Sequence, residues 1–263
     1  MTRRRLDAEL VRRKLVPSRT EARRMIDTGR VRVRGNPAPK PSTMVAPDDP
    51  LSIDGPPAQF VSRAGAKLDG AIDAFDVAVE GRIAIDVGAS TGGFTDCLLQ
   101  RGAAEVVALD VGYGQLHHRI RSDPRVVVVE RTNIRHADPI ALGAPFDLVV
   151  ADLSFISLAL VARQIRALGA GDTDWILLVK PQFEAGKGLV GSGGIVRDPE
   201  VHVQAIEQAV AALDTTGVGV IGLVDSSITG TEGNREFLIH GRITERRTDA
   251  GTVRSVVSEE HQP

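Results

Sequence analysis

Residues 82–94 read RIAIDVGASTGGF, the most informative segment for the architecture of the larger part of the chain. Apolar residues at 83–85 and 87 predict a short buried strand, and three glycines follow it within six positions. Glycines at such a turn let the backbone approach a ligand and open the next helix with free N–H groups. The spacing is not the G-x-G-x-x-G dinucleotide motif, because no glycine stands two residues after Gly88. The stretch therefore predicts a strand, a ligand-binding turn and a helix without naming the ligand.

Six further apolar runs follow this strand, several of them separated by amphipathic segments. The seven runs cover residues 83–87, 106–109, 126–129, 148–151, 175–179, 218–224 and 237–239. Short β-branched runs that alternate with helices indicate βαβ units and a mostly parallel sheet. We therefore predict a Rossmann-like, seven-stranded α/β domain whose ligands bind beyond the carboxyl ends of the strands.

Polar residues follow the first three strands, at the edge where a ligand is expected. The glycine turn follows the first strand, Asp110 ends the second, 22 residues after Gly88, and Thr132-Asn133 follow the third. A carboxylate at the second position can bind a ribose diol, and the polar pair at the third can meet an adenine edge. The set favours an adenosine-containing cofactor, and the plainer alternative is a tight turn with no ligand.

The form D-x-G-x-x-x-G-G, followed by an acid one strand later, resembles the S-adenosylmethionine-dependent class I methyltransferases. That resemblance implies S-adenosyl-L-methionine as the cofactor. The candidate cofactor-binding residues are Asp86, Gly88, Ala89, Ser90, Thr91, Gly92, Gly93, Phe94, Asp110, Asn133 and Asp152.

Four charged residues flank the predicted strands. Lys67 lies ahead of the first strand, Asp152 and Lys180 follow the fourth and fifth, and Glu236 precedes the last. Plainer alternatives are a solvated helix lysine, an ion pair between neighbouring strands and a cap on a strand edge. Their order resembles the Lys-Asp-Lys-Glu tetrad of RNA ribose 2′-O-methyltransferases of the FtsJ/RrmJ type, which implies that all four are catalytic. In that arrangement Lys180 lies closest to the 2′-hydroxyl and stabilises developing alkoxide charge, Asp152 orients it, and the other two complete the charge network.

Charge is concentrated at the N terminus. Residues 1–40 carry thirteen Lys and Arg against four Asp and Glu, a net charge of +9, and since the whole chain carries −2 the remainder carries −11. Such asymmetry indicates a basic module attached to an acidic body. A capping-box spacing at Ser18 and Glu21 and an alternating strand at 31–34 argue against a disordered arm.

The basic segment resembles an S4 RNA-binding domain, in which a helix pair and a short strand present arginines to structured RNA. The likeness rests on Arg5-Leu6-Asp7, Leu10, Ser18-Arg19, Ala22, Ile26, Gly29-Arg30-Val31, Val33 and Gly35. It implies phosphate contacts that supply affinity and register rather than sequence reading. The candidate RNA-binding residues are Arg4, Arg5, Arg19, Arg23, Arg30 and Arg63. The acidic remainder is expected to hold RNA poorly by itself.

Nearly the whole chain resembles the TlyA family. Besides the segments above, the likeness rests on Val61-Ser62-Arg63, DVGYGQL at 110–116, DLSF at 152–155 and KPQFE at 180–184. It implies 2′-O-methylation of cytidine in 16S and 23S ribosomal RNA and an effect on susceptibility to tuberactinomycins such as capreomycin. Phe60 stands where members active on both ribosomal subunits can carry Trp, which leaves open whether both are substrates. The family also carries a haemolysin label, but no stretch here is of the amphipathic or membrane-spanning kind that would support pore formation.

The predicted organisation is an S4-like α+β domain at 1–57, a linker at 58–62, an FtsJ-like methyltransferase domain at 63–247 and a disordered polar tail at 248–263. The chain has 263 residues, of which 42% are hydrophobic and one is cysteine, Cys97. A single cysteine argues against a disulfide framework and a cysteine zinc cluster, and no metal site is expected. No apolar run approaches the roughly 18 residues that a membrane span needs. We expect a cytoplasmic monomer that binds ribosomal RNA. The alternatives are a non-catalytic RNA-binding assembly protein, a nicotinamide oxidoreductase and a membrane-lytic protein.

Overall fold

A computed structural model describes residues 3–16, 18–55, 58–186, 188–230, 233–244 and 248–258. The chain divides into two compact units, Met1–Gln59 and Phe60–Pro263. The segment predicted as a linker is not a free connection, because Phe60 is buried against Gly65 in the second unit. The backbone N–H of Val61 also donates to Asp96 Oδ2 over 2.7 Å.

The first unit packs two helices against short antiparallel strands. Its elements are β1 (Arg4–Arg5), α1 (Leu6–Arg12), α2 (Arg19–Asp27), β2 (Val31–Val33), β3 (Asn36–Pro37), β4 (Met44–Val45) and β5 (Leu51–Ile53). Strand β1 pairs with β4, and β2 lies between β3 and β5. The predicted start of α2 is confirmed, since Ser18 Oγ accepts the N–H of Glu21 over 3.2 Å.

The second unit is a seven-stranded sheet covered by helices. Its strands are β6 (Ile83–Val87), β7 (Glu105–Leu109), β8 (Val126–Val129), β9 (Phe146–Ala151), β10 (Gly169–Val179), β11 (Val218–Asp225) and β12 (Phe237–Ile243). Its helices are α3 (Ala64–Phe75), α4 (Gly93–Gln100), α5 (His118–Arg121), α6 (Ala162–Ala167), α7 (Pro181–Glu184), α8 (Pro199–Asp214) and α9 (Ala250–Ser258). All seven predicted apolar runs form strands, so the predicted Rossmann-like α/β fold is confirmed.

The strand order is β11-β12-β10-β9-β6-β7-β8. The five strands from β10 to β8 are parallel, whereas β12 runs antiparallel to both of its neighbours. The carboxyl ends of the parallel strands therefore lie at one edge of the sheet, and the beginning of β12 lies at the same edge. We call this the carboxyl edge.

Alternate residues of the buried strands face opposite helical layers. Ala84 and Leu148 pack with Leu68 and Leu98 of α3 and α4. Their neighbours Ile85 and Val149, with Trp175, pack with residues of α6, α8 and α9, among them Ile165, Ile206 and Val253. Burial of both faces explains why these strands read as continuous apolar runs.

The expected disordered tail is wrong for the described part, residues 248–258. Helix α9 forms there, with Val253 and Val257 only 2% and 4% exposed. These two valines lie one turn apart, so a single apolar stripe suffices to hold an otherwise polar helix on the sheet. Residues 259–263 lie outside the described residues. Within the described part of the chain, no helix is long and apolar enough to cross a membrane.

Candidate active site

A pocket of about 270 Å³ opens at the carboxyl edge of the second unit. Ten residues line it: Ser62, Arg63, Ala64, Lys67, Gly88, Ser90, Asp152, Ser154, Lys180 and Glu236. All four residues of the predicted tetrad are among them, although up to 169 positions separate them in the sequence. The topology explains this convergence. Asp152 and Lys180 directly follow β9 and β10, and Glu236 directly precedes the antiparallel β12.

Lys67 and Glu236 form a buried ion pair on one side of the pocket. The Lys67 ammonium donates to Glu236 Oε2, and the two residues are 8% and 3% exposed. Gly230 leaves room for this carboxylate, since a Cβ at that position would overlap Glu236 Oε1. Two buried charges need each other here, because neither has bulk water to solvate it.

Lys180 is held from two directions. Its Nζ atom lies 2.5 Å from Asp152 Oδ1 and 2.9 Å from Ser154 Oγ. The Ser154 hydroxyl accepts one of the three N–H donors of the ammonium group, whereas the contact with Asp152 is an ion pair, so donors remain for a substrate. Ser154 was not foreseen from the sequence, although its place two residues after the strand-end Asp152 is a usable signal.

The loops that carry Asp152 and Lys180 are tied together further out. The buried Glu184 carboxylate accepts the Ser157 hydroxyl over 2.5 Å and the Leu158 N–H over 2.8 Å. Burial raises the pKa of this carboxyl group. The rings of Phe155 and Phe183 lie 5.0 Å apart, and Phe155 is 90% exposed at a left-handed φ of 63°. The two loops therefore form one braced unit around Lys180.

The glycine turn lies against the Asp152 backbone. Gly88 has a φ of 91°, and a Cβ there would lie 2.5 Å from the Asp152 carbonyl oxygen, so no other residue fits without a shift. Beneath the turn, Asp86 Oδ2 accepts the N–H and the hydroxyl of Thr95 over 2.9 and 2.6 Å. Burial raises the pKa of Asp86 to about 7.

The predicted cofactor-binding residues fall into two groups. Gly88, Ser90 and Asp152 line the pocket, whereas the side chains of Asp86, Ala89 and Phe94 are buried beneath or beside the turn. Backbone atoms are all that this second group can offer a ligand there. Of the remaining turn residues, Thr91 is exposed, and Gly92 and Gly93 are buried at the start of α4.

Asp110 and Asn133 stand near the ends of β7 and β8. The two Asp110 oxygens accept the N–H groups of Ser90 and Gly112, over 2.7 and 2.6 Å. The Asn133 side chain accepts the Arg135 N–H over 3.0 Å and so caps a short turn. Val111 was not singled out from the sequence, yet it is 69% exposed directly beside Asp110 and offers an apolar surface at this edge.

In the first unit, three of the predicted RNA-binding arginines converge on a single buried carboxylate. Arg5, Arg19 and Arg23 lie 3.1, 2.9 and 3.5 Å from Asp7, which is fully buried, while each arginine side chain remains about half exposed. Hydrogen bonding from Arg5 holds the pKa of Asp7 far below its usual range. We call these three residues the arginine fan.

The other predicted RNA-binding arginines lie apart from this fan. Arg4 is exposed on β1, and Arg63 lines the pocket of the second unit. The Arg30 side chain donates to the Asp54 carbonyl over 2.8 Å. The role of Asp7 as an anchor was not foreseen from the sequence.

The Rossmann-like sheet, the glycine turn and the Lys-Asp-Lys-Glu pocket define a class I methyltransferase domain, and the first unit is an S4 domain. Family profiles agree: the FtsJ-like methyltransferase family matches residues 60–243, and the S4 domain matches residues 4–51. The chain thus belongs to the FtsJ-like methyltransferases, in the TlyA group that joins this domain to an S4 domain.

Relatives with assigned names cover most of the chain. It is 50% identical over 237 residues to the 16S/23S rRNA (cytidine-2′-O)-methyltransferase TlyA of Mycobacterium tuberculosis, covering 89% of this chain and 88% of that protein. It is 47% identical to YqxC of Bacillus subtilis, named a candidate rRNA methyltransferase, and the match covers 90% of this chain and 84% of YqxC. A solved structure from Streptococcus thermophilus, named a candidate hemolysin, is 36% identical with a TM-score of 0.79, covering 98% of this chain and 95% of that one.

Proposed function

We propose that this protein transfers a methyl group from S-adenosyl-L-methionine to the ribose 2′-hydroxyl of a cytidine in 16S or 23S ribosomal RNA, or in both. We propose further that it acts as a monomer in the cytoplasm. The observation that supports the methyl-transfer activity most strongly is the convergence of Lys67, Asp152, Lys180 and Glu236 in one pocket beside the glycine turn. The names of the relatives in Mycobacterium tuberculosis and Bacillus subtilis support the substrate class.

The residues around the glycine turn fit S-adenosyl-L-methionine. Gly88 allows its backbone to lie against Asp152, and Ser90 lines the pocket. Asp110 stands at the end of the neighbouring strand, and its carboxylate can accept further hydrogen bonds besides the two from backbone N–H groups. These residues would hold the methionine, ribose and adenine parts of the cofactor. Its sulfonium centre supplies an electrophilic methyl group.

Lys180 is the residue best placed to act on the target hydroxyl. Ser154 accepts one of its donors and Asp152 pairs with its charge, so a remaining donor can point at the ribose 2′-oxygen. That donor would stabilise negative charge as the oxygen attacks the methyl carbon and loses its proton to water. Lys67 and Glu236 fix the electrostatic surroundings from the other side of the pocket. Holding the hydroxyl in line with the methyl group is itself a large part of such catalysis.

The S4 domain supplies affinity for the RNA in this proposal. The arginine fan presents three half-exposed arginine side chains against one buried carboxylate, an excess of two positive charges. Each group keeps N–H donors free for phosphate, because a guanidinium has five.

The test is labelled methyl transfer to separated ribosomal subunits, followed by mapping of the modified ribose. We expect Lys180→Ala to abolish transfer while calorimetry shows S-adenosyl-L-methionine binding close to that of the unchanged protein. Arg254→Ala, which removes an exposed arginine paired with Glu200, is the matched control and should keep full activity. Equal methylation by Lys180→Ala would overturn the assignment of Lys180. Ribosome binding without methylation by the unchanged protein would favour the non-catalytic alternative.

A further inference from the structure

Asn234 is a buried amide, and both ends of its side chain bind one glycine-rich segment. It is 2% exposed and lies in the connection between β11 and β12. Its Oδ1 atom accepts the Val196 N–H and its Nδ2 atom donates to the Gly194 carbonyl, each over 2.9 Å. One partner is a donor and the other an acceptor, so only one orientation of the amide satisfies both. A side chain from one connection therefore fixes the backbone of another.

The segment 191–196 forms a turn that offers these two backbone groups together. Gly193 and Gly194 have left-handed φ values of 76° and 75°, a conformation that another residue would adopt only with strain. The Gly194 N–H also donates to the Gly191 carbonyl over 3.1 Å, which closes the turn. The glycines of this segment are thus explained by a turn whose shape fits the Asn234 amide.

A second buried side chain, from helix α8, holds the same segment. His202 is 3% exposed, and its Nε2 atom lies 3.2 Å from the Val196 carbonyl oxygen. Burial lowers the pKa of His202, so the ring is neutral at pH 7. A carbonyl oxygen can only accept, so Nε2 carries the proton of the neutral ring. Val196 is therefore fixed through both its N–H and its carbonyl group.

The backbone of Asn234 joins this arrangement to Glu236. The Asn234 carbonyl accepts the Gly230 N–H over 2.8 Å, and Gly230 is the residue whose missing Cβ leaves room for the Glu236 carboxylate. The Glu236 carbonyl in turn accepts the Ser226 N–H over 2.8 Å. A shift of Asn234 would therefore change the space in which the Glu236 carboxylate meets Lys67.

We propose that Asn234 is a positioning residue for methyl transfer, which holds the Glu236 carboxylate where it pairs with Lys67. The inference rests on the proposed function for the reaction itself. Asn234 is not among the residues that line the pocket in the described part of the chain, so it acts through Glu236. The segment at 194–196 belongs to the connection that follows Lys180 and α7, so the same amide also ties that connection to the one that carries Glu236.

The experiment compares variants of the full chain in methyl transfer to the ribosomal subunit that the unchanged protein methylates. Asn234→Asp keeps the size of the side chain, but an ionised carboxylate has no N–H for the Gly194 carbonyl. Gln208→Glu is the matched control, because it makes the same amide-to-acid change at an exposed position of α8. Steady-state kcat and KM for the subunit are measured, alongside calorimetry with S-adenosyl-L-methionine and thermal denaturation.

We expect Asn234→Asp to lower kcat about tenfold, because a displaced Glu236 carboxylate changes the charge around the reacting hydroxyl. The KM for the subunit and the dissociation constant for S-adenosyl-L-methionine should stay close to those of the unchanged protein, since the surfaces that bind are not altered. Gln208→Glu should match the unchanged protein in all four measurements. An unchanged kcat, or a rise in KM alone, would overturn the positioning role.

Asn234→Ala takes the place of Asn234→Asp if the acid lowers thermal stability so far that the protein is unfolded in the assay. It removes both side-chain hydrogen bonds without burying a charge, and the same two outcomes decide. Failure of the proposed function would instead appear as no methyl transfer by the unchanged protein.

Discussion

The Ser154 hydroxyl oxygen lies 2.9 Å from the Nζ atom of Lys180, on the pocket side of the loop that follows β9. This hydrogen bond and the ion pair with Asp152 orient the Lys180 ammonium group and leave it N–H donors for the substrate. We expect Ser154→Ala to let the ammonium turn and to lower kcat for methyl transfer about tenfold, the usual consequence of losing a hydrogen bond to a charged group. The measurement is steady-state methyl transfer to ribosomal subunits.

Ser154→Thr is the control, because it restores the hydroxyl and should recover most of the rate. The dissociation constant for S-adenosyl-L-methionine should stay close to that of the unchanged protein in both variants. A loss of cofactor binding equal to the loss in kcat would show that Ser154 shapes the pocket instead of orienting Lys180.

The buried pair of Lys67 and Glu236 predicts a strongly non-additive effect on stability. Removing one partner leaves the other charge buried and unpaired, so Lys67→Met and Glu236→Gln should each lower the free energy of unfolding by about 3 to 5 kcal/mol. The double variant should lose much less than the sum of the two. Urea denaturation of the four proteins measures this coupling, and additive losses would show that the pair is not coupled.

Asp86 predicts a dependence of stability on pH. Its pKa is raised to about 7 by burial, against roughly 3.9 in an unfolded chain. Between these values the folded protein binds the extra proton, so this group makes the free energy of unfolding fall as pH rises from about 4 to 7. Asp7 and Asp174 have lowered pKa values and titrate below that window.

Urea denaturation between pH 4 and 8 compares the unchanged protein with Asp86→Asn. The variant cannot ionise at this position, so its stability should decline less across the window. Parallel curves for the two proteins would mean that Asp86 does not titrate there.

The arginine fan predicts a salt-dependent loss of RNA affinity. We expect Arg19→Ala/Arg23→Ala to weaken binding to ribosomal subunits and to make the salt slope shallower by roughly 1.5 to 2. Arg30→Ala is the comparison, since its guanidinium already donates to the Asp54 carbonyl and should contribute less to phosphate binding. Equal effects of the two changes would show that anchoring by Asp7 does not decide which arginines bind RNA.

Much of the fold could be predicted from the sequence because the central strands are buried on both faces. Runs such as 106–109 and 148–151 are apolar without interruption, the pattern expected of a parallel strand that is buried on both faces. The convergence of Asp152 and Lys180 could be predicted for a related reason: residues that follow parallel strands share one edge of the sheet.

Features that depend on side-chain packing could not be predicted in this way. The anchoring of Arg19 and Arg23 by Asp7 depends on the packing of α1 against α2, which no local pattern records. The brace between Glu184 and Ser157 joins two loops 27 residues apart. Helix α9 was missed because its apolar stripe is narrow.

Asp152 belongs to both halves of the pocket: its carbonyl backs the glycine turn at Gly88, and its carboxylate holds Lys180. A ligand that shifts Asp152 from the glycine turn also changes the position of Lys180. The binding of the cofactor and the binding of RNA are therefore expected to be thermodynamically linked. Linkage is reciprocal, and a compound that fills the cofactor half alone would then also change the affinity for RNA. An inhibitor screen that measures only competition with the cofactor would miss that second effect.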